Sequence, residues 1–215
     1  MPEKLTMTRQ VRIMGCLLGA LFVSALPAVA GGDVNFLFGQ KAFDDDTLDA
    51  AHVDGGTQFG LALTLDFDWP VDLAFDLLAF SDDATTTVFA GMPIDFATYV
   101  KTLEFDVGIR KLWGDRLQPY VGGGIAFVKL DATQWTRGSL GSGSSFVTLV
   151  VDDSDSALGF WANAGLLYRL TAQFNLGIDL RYSDADVKLI PEADPEPAEL
   201  AAGGTHFGLS LGFHW

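Results

Sequence analysis

Cysteine is almost missing from this chain: Cys16 is the only one in 215 residues. It sits in an apolar N-terminal stretch, so the remainder cannot build a disulfide framework. A lipoprotein signal would put its greasy region before the modified cysteine. Here most of that region follows Cys16, which argues against lipidation. Long apolar runs are scarce as well. After residue 30 no segment approaches the ~20 apolar residues that a membrane-crossing helix needs. Positive charge is the third shortage: 13 Lys and Arg face 28 Asp and Glu, for a formal net charge of −15. Phosphate backbones are gripped by clustered Lys and Arg, and no such cluster is visible, so nucleic acid is excluded as a partner. Histidine is down to His52, His206 and His214, with no metal-ligand spacing among them, and no cofactor is expected.

The N-terminus has the three parts of a secretory signal. Lys4, Arg9 and Arg12 are basic, Ile13 to Leu26 is mostly apolar, and Ala28 and Ala30 place small residues before Gly31. Residues 1–30 are therefore expected to be a cleaved signal peptide, leaving residues 31–215 as one domain.

That domain is rich in what remains. The chain is 49% hydrophobic, with 17 Phe and 24 Gly. Its apolar residues recur every second position, the period of a strand and not of a helix. At the C-terminus Phe207, Leu209, Leu211, Phe213 and Trp215 share one face, while His206, Gly208, Ser210, Gly212 and His214 share the other. Eight such segments can be read: about 34–43, 57–68, 71–80, 99–113, 120–130, 158–170, 175–183 and 206–215. Most match the ~9–11 residues of a tilted membrane-crossing strand. Their connections alternate. Residues 44–56, 82–98, 131–157 and 184–204 are read as long loops, while the turns near Trp69-Pro70, Gly114 to Arg116 and Thr171 to Gln173 are short. Transmembrane barrels have short periplasmic turns and longer extracellular loops. The expected fold is all-β: an eight-stranded antiparallel transmembrane up-and-down β-barrel.

The run Pro119-Tyr120-Val121-Gly122-Gly123-Gly124-Ile125-Ala126 resembles the Pro-Tyr-x-Gly-x-Gly strand of small outer-membrane β-barrels of the OmpA/OmpX-like superfamily. Ala162 to Leu170 and Leu180-Arg181-Tyr182 resemble the strands that follow it, and the closing aromatic Trp215 resembles the terminal strand that directs barrel assembly. The resemblance implies an outer-membrane location, contact with membrane lipid and lipopolysaccharide, and handling by barrel-assembly machinery through Phe207, Leu209, Leu211, Phe213 and Trp215. A monomer is expected. No peptidoglycan-binding domain follows Trp215, so a cell-wall tether is not expected.

The parity that sends aromatics outward sends charges inward. Lys41, Asp66, Asp72, Asp76, Glu104, Asp106, Arg110, Arg169, Asp179 and Arg181 form the expected lumen network. An eight-stranded barrel is just wide enough for its side chains to fill it, so these groups read either as a packed plug or as a path for protons or small ions. Most acids fall in the four long connections. Asp44-Asp45-Asp46 and Asp152-Asp153-x-Asp155 are weak candidates for Ca²⁺ bridging to lipopolysaccharide, although neither matches an EF-hand loop. Ser145 to Val151 is strand-prone and is expected to extend the sixth strand. The proline-rich Pro191 to Pro197 is expected to be extended or disordered. Catalysis is not expected: His206 and Ser210 share a face but lie roughly 13 Å apart along a strand, too far for a nucleophile and its base. The expected function is structural and surface-interacting, through acidic extracellular loops. A narrow pore for small solutes or ions is the alternative, and a lipid A-modifying enzyme comes third.

Overall fold

The computed structural model describes residues 31–44, 53, 55–89, 93–140, 144–189 and 198–215. The expected signal peptide, together with Asp45, Asp46 and the proline-rich run 191–197, lies outside the described residues.

The described residues form ten strands: β1 Gly31–Ala42, β2 Gly55–Asp66, β3 Asp72–Phe89, β4 Pro93–Leu112, β5 Leu117–Leu140, β6 Ser144–Arg169, β7 Phe174–Asp184, β8 Asp186–Leu189, β9 Ala198–Ala201 and β10 Gly204–His214. Eight of them close a barrel in the order β1-β10-β7-β6-β5-β4-β3-β2, and β8 and β9 pair as a separate two-stranded sheet. Every barrel pairing is antiparallel, and β1 with β10 completes the ring from Asp33 opposite His214 to Ala42 opposite Thr205. Closure leaves no unpaired edge within the ring, which a wall immersed in hydrocarbon requires.

The alternation decides which face is which. Phe36, Phe59, Leu77, Phe105, Ile125, Phe160, Leu180 and Phe207 all point outward and are exposed. A continuous apolar belt of this size is unsuited to water and suited to lipid. Phe67, Trp69, Trp113, Phe174 and Phe213 add aromatic residues at the end that carries the three short turns. This is the turn end; the opposite, loop end carries the β8–β9 hairpin.

Two connections differ from the sequence expectation. Residues 82–98 and 131–157 are mostly strand, not loop. β3 and β4 stay paired out to Phe89 opposite Pro93, and β5 and β6 out to Leu140 opposite Ser144, with one register shift between Gln134 and Trp135. These stretches stand above the apolar belt, outside the hydrocarbon, so the apolar alternation that marks a lipid-crossing strand is lost there. β6 begins at Ser144, as the strand-prone run 145–151 suggested. The last connection also carries structure: β8 and β9 pair from Asp186 opposite Ala201 to Leu189 opposite Ala198.

Inside the loop end, Phe43, Val53, Phe80, Val100, Val128 and Leu130 pack with Val187, Leu189 and Leu200 of the hairpin into a buried apolar cluster. Phe43 and Phe80 meet edge to face at 5.1 Å. This apolar cluster lies above a polar interior.

Candidate functional site

The lumen below that apolar cluster holds a charge network in two tiers. Strand register creates the lower tier. Asp76 of β3 lies directly opposite Asp106 of β4, and like charges in that position repel. Arg181 of β7 crosses the lumen to bridge them, Nη2 donating to Asp76 Oδ2 and Nη1 to Asp106 Oδ2. Its Nε lies 3.7 Å from Asp179 Oδ1, and its guanidinium sits 5.0 Å over the Trp161 ring. Arg110 donates to Asp76 at 2.7 Å and to Thr64 Oγ1 at 2.8 Å. Tyr120 and Asn163 both donate to Asp179 Oδ2, at 2.5 and 2.9 Å. Asp76, Asp106 and Arg181 are at most 1% exposed. The planar guanidinium suits this task, because its fixed fork of donors can serve several carboxylates at once.

The upper tier is built on Glu104. Lys41 Nζ lies 3.6 Å from Glu104 Oε2 and donates to Ala202 O at 2.7 Å, tying the wall to the segment that follows the hairpin. Ser183 Oγ donates to Glu104 at 3.1 Å and lies 3.0 Å from His206 Nε2, while His206 Nδ1 lies 2.5 Å from Gln58 Oε1. The serine that meets His206 is therefore Ser183 on the neighbouring strand, where Ser210 had been weighed from sequence. Both Ser183 and His206 are buried beneath the apolar cluster.

Of the ten charges assigned inward from sequence, Lys41, Asp76, Glu104, Asp106, Arg110, Asp179 and Arg181 meet in these tiers. Three lie elsewhere. Asp66 is exposed at the turn end. Arg169 is half-buried at the same mouth, where its Nε donates to Gln118 Oε1 at 3.0 Å. Asp72 is buried at that mouth, but Arg110, its cross-strand partner, turns away to Asp76. Parity gives the face of a strand and not the height along the lumen, and these residues sit at strand ends. Sequence reasoning missed the neutral partners Gln58, Thr64, Asn163 and Asn175, all buried. Their signal was the same inward parity.

At the turn end a cavity of about 390 Å³ opens outward, lined among others by Asp33, Asp66, Asp72, Lys111, Arg169 and His214. His214 lies 3.2 Å from both Asp33 and Arg169. The weak Ca²⁺ candidates are not assembled among the described residues. Alternation along β6 puts Asp152 on the face opposite to Asp153 and Asp155. Asp155 accepts the Lys188 amide at 2.8 Å. Among the described residues no group of three or more His, Cys, Asp or Glu could hold a metal ion. The terminal strand points Phe207, Leu209, Leu211 and Phe213 outward. Trp215 covers Gly32, where an added Cβ would lie 2.5 Å from the indole ring.

Comparison with known proteins places this architecture. A search of the curated proteins finds no match. Among solved structures, the outer membrane protein OprG from Pseudomonas aeruginosa is similar at 13% identity and a TM-score of 0.57, covering 87% of this chain and 96% of that one. Ail of Yersinia pestis matches at 12% identity, with coverage of 87% and 99% and a TM-score of 0.45, too low to argue from. CarO of Acinetobacter baumannii, at 11% identity, 85% and 97% coverage and a TM-score of 0.41, is in the same position. The family described as outer membrane protein beta-barrel domain matches residues 14–214. With a closed eight-stranded wall, a lipid-facing belt and a match over nearly its whole length, the chain belongs to the outer membrane protein beta-barrel domain family.

Proposed function

We propose that this outer-membrane barrel is a closed structural protein that works through its extracellular surface, and not a pore or an enzyme. The observation that carries the reading is the doubly filled lumen: the Arg181 tier sits across the interior, and the apolar cluster with the β8–β9 hairpin stoppers the mouth above it. A pore would need a continuous polar path, and the apolar layer interrupts one.

The surface supplies the means of interaction. From Ala84 to Phe89, β3 pairs only with β4 among the described residues, so the sheet of β3 to β6 rises above the belt with one side of that stretch of β3 outside any ladder. An exposed strand edge of this kind can accept an added strand from a partner. Just above the outward apolar residues Leu103 and Phe127 stand Lys101 and Lys129. That height suits contact with lipopolysaccharide phosphates. The outward aromatic residues of β10 support recognition by barrel-assembly machinery, and the lipid-facing belt runs round the whole wall, as suits a monomer.

Single-channel recording of the refolded protein in a planar bilayer tests the closed lumen, with a heat-shift gel to show that it is folded. Folded protein without stable conductance is the expected result. Reproducible cation-selective steps that weaken in Asp76→Asn or Glu104→Gln would replace this reading with a narrow pore.

A further inference from the structure

We propose that the periplasmic mouth of the barrel is a binding site for a small organic cation carrying primary ammonium groups, such as a diamine. The site is the cavity of about 390 Å³ at the turn end, which is the periplasmic end in barrels of this kind. Three carboxylates converge there from a single turn. Asp66 and Asp72 follow directly on the last β2–β3 pair, Leu65 opposite Leu73, so they face each other across the two strands. Asp68 lies between them in the turn, with φ at 59° and its amide donating to Asp66 Oδ1 at 2.8 Å.

Asp72 is the telling residue. It is only 9% exposed and lines the cavity, yet no hydrogen bond or ion pair holds its carboxylate among the described residues. Arg110, opposite it in the ladder, is committed to Asp76 and Thr64. Lys111 attracts it but forms no ion pair with it. The far wall of the cavity is already satisfied: Arg169 engages Gln118 and His214, and Asp33 engages Asn175 and His214. The Asp72 carboxylate opens into the cavity beside the like charge of Asp66, and both attract a cation that enters there.

The geometry selects the kind of cation. Metal ions need several oxygens within about 2.6 Å of one point, and no such grouping exists among the described residues. A diamine can reach separated carboxylates with donors at the two ends of a flexible stem. Trp69 also lines the cavity, its ring packed 5.4 Å from that of Phe67. The inner wall includes Thr64, which Arg110 holds, so the cavity is a dead end and its occupant leaves the way it came. The proposal is independent of the surface-interaction reading and would survive its failure.

Isothermal titration of 1,4-diaminobutane into the refolded protein in zwitterionic detergent tests it, with 1,4-butanediol and Mg²⁺ as comparison solutes. Saturable binding of the diamine is expected, weakened about tenfold or more by Asp72→Asn and by Asp66→Asn. An Asp152→Asn/Asp153→Asn variant at the opposite end should bind as the parent does. Heat-shift gels verify folding, and exposed Asp66 carries the test if the Asp72 variant does not fold. The proposal is overturned by any of four results: no saturable heat, binding unchanged in the folded Asp66 variant, equal loss in the loop variant, or Mg²⁺ binding as well as the diamine, since the last two indicate attraction to net charge alone.

Discussion

Arg181 holds together two carboxylates that the sheet register forces into opposition. Removing it by Arg181→Met strands Asp76 with Arg110 alone and leaves Asp106 buried without its cation. Breaking a buried ion pair from one side costs about 3–5 kcal/mol. Urea unfolding followed by tryptophan fluorescence in micelles should show a loss of that size. The double variant Arg181→Met/Asp106→Asn should recover part of it, because the stranded charge is removed with its partner. An Arg181→Met protein within about 0.5 kcal/mol of the parent would mean that the tier does not stabilise the fold. Much of this tier was legible in the sequence, since Asp76, Asp106 and Arg181 each stand between two adjacent outward-facing residues, Phe75 and Leu77, Phe105 and Val107, and Leu180 and Tyr182, so that parity turns the charges inward. Which acid meets which base was not legible, because height in the lumen depends on the stagger between strands. Asp66, Asp72 and Arg169 show the same blindness: the right face, at a strand end instead of mid-lumen.

Single elements extend this lesson. The lipid-crossing parts of the strands announce themselves, because one face must be apolar and the other filled with small or polar groups. Ser81 to Thr87 has no such contrast, being polar on both faces, and so reads as loop although it is ladder-paired to β4. The β8–β9 hairpin was hidden by its shortness and by the proline-rich run beside it. Its exposed ion pair, Lys188 Nζ to Glu199 Oε1 at 2.8 Å, holds the Glu199 carboxyl below the usual glutamate range by its hydrogen bond and charge. The amides of Lys188 and Ser156 likewise hold Asp155 below the usual aspartate range. Both folded-state values are depressed, so their contribution is present above the ordinary carboxylate values and is lost as pH falls through the folded ones. Amide exchange of β8 and β9, corrected for the intrinsic pH dependence, should therefore show protection falling as pH drops below about 4.5. In Glu199→Gln/Asp155→Asn the fall should be smaller and the hairpin less protected at neutral pH. A pH response unchanged in that variant would assign the acid sensitivity to other groups.

On the scale of the whole molecule, two layers of opposite chemistry lie in series along the lumen, and the proposed closure rests on both. The upper one is apolar, made jointly by the wall and the hairpin, with Lys41 fastened to Ala202 and Asp155 to the Lys188 amide. The lower one is the Arg181 tier, anchored only in barrel strands. Because the lower tier does not depend on the hairpin, removing the hairpin should not open the barrel. Replacing residues 186–201 with a short Gly-Ser linker should expose Val128 and Leu130 to water, lowering stability by the lost apolar burial at about 25 cal/mol per Å². The lumen should remain closed in a planar bilayer. Adding Arg181→Met to that deletion loosens the second obstruction and is the combination expected to yield cation-selective openings, since Asp76, Asp106 and Glu104 would then line the passage. Conductance from the hairpin deletion alone would show that the charged tier already passes ions and that the hairpin is the gate. Silence from the combined variant, with folding shown by heat-shift, would mean that the remaining side chains, Trp161 foremost among the fully buried ones, fill the barrel without help from either device.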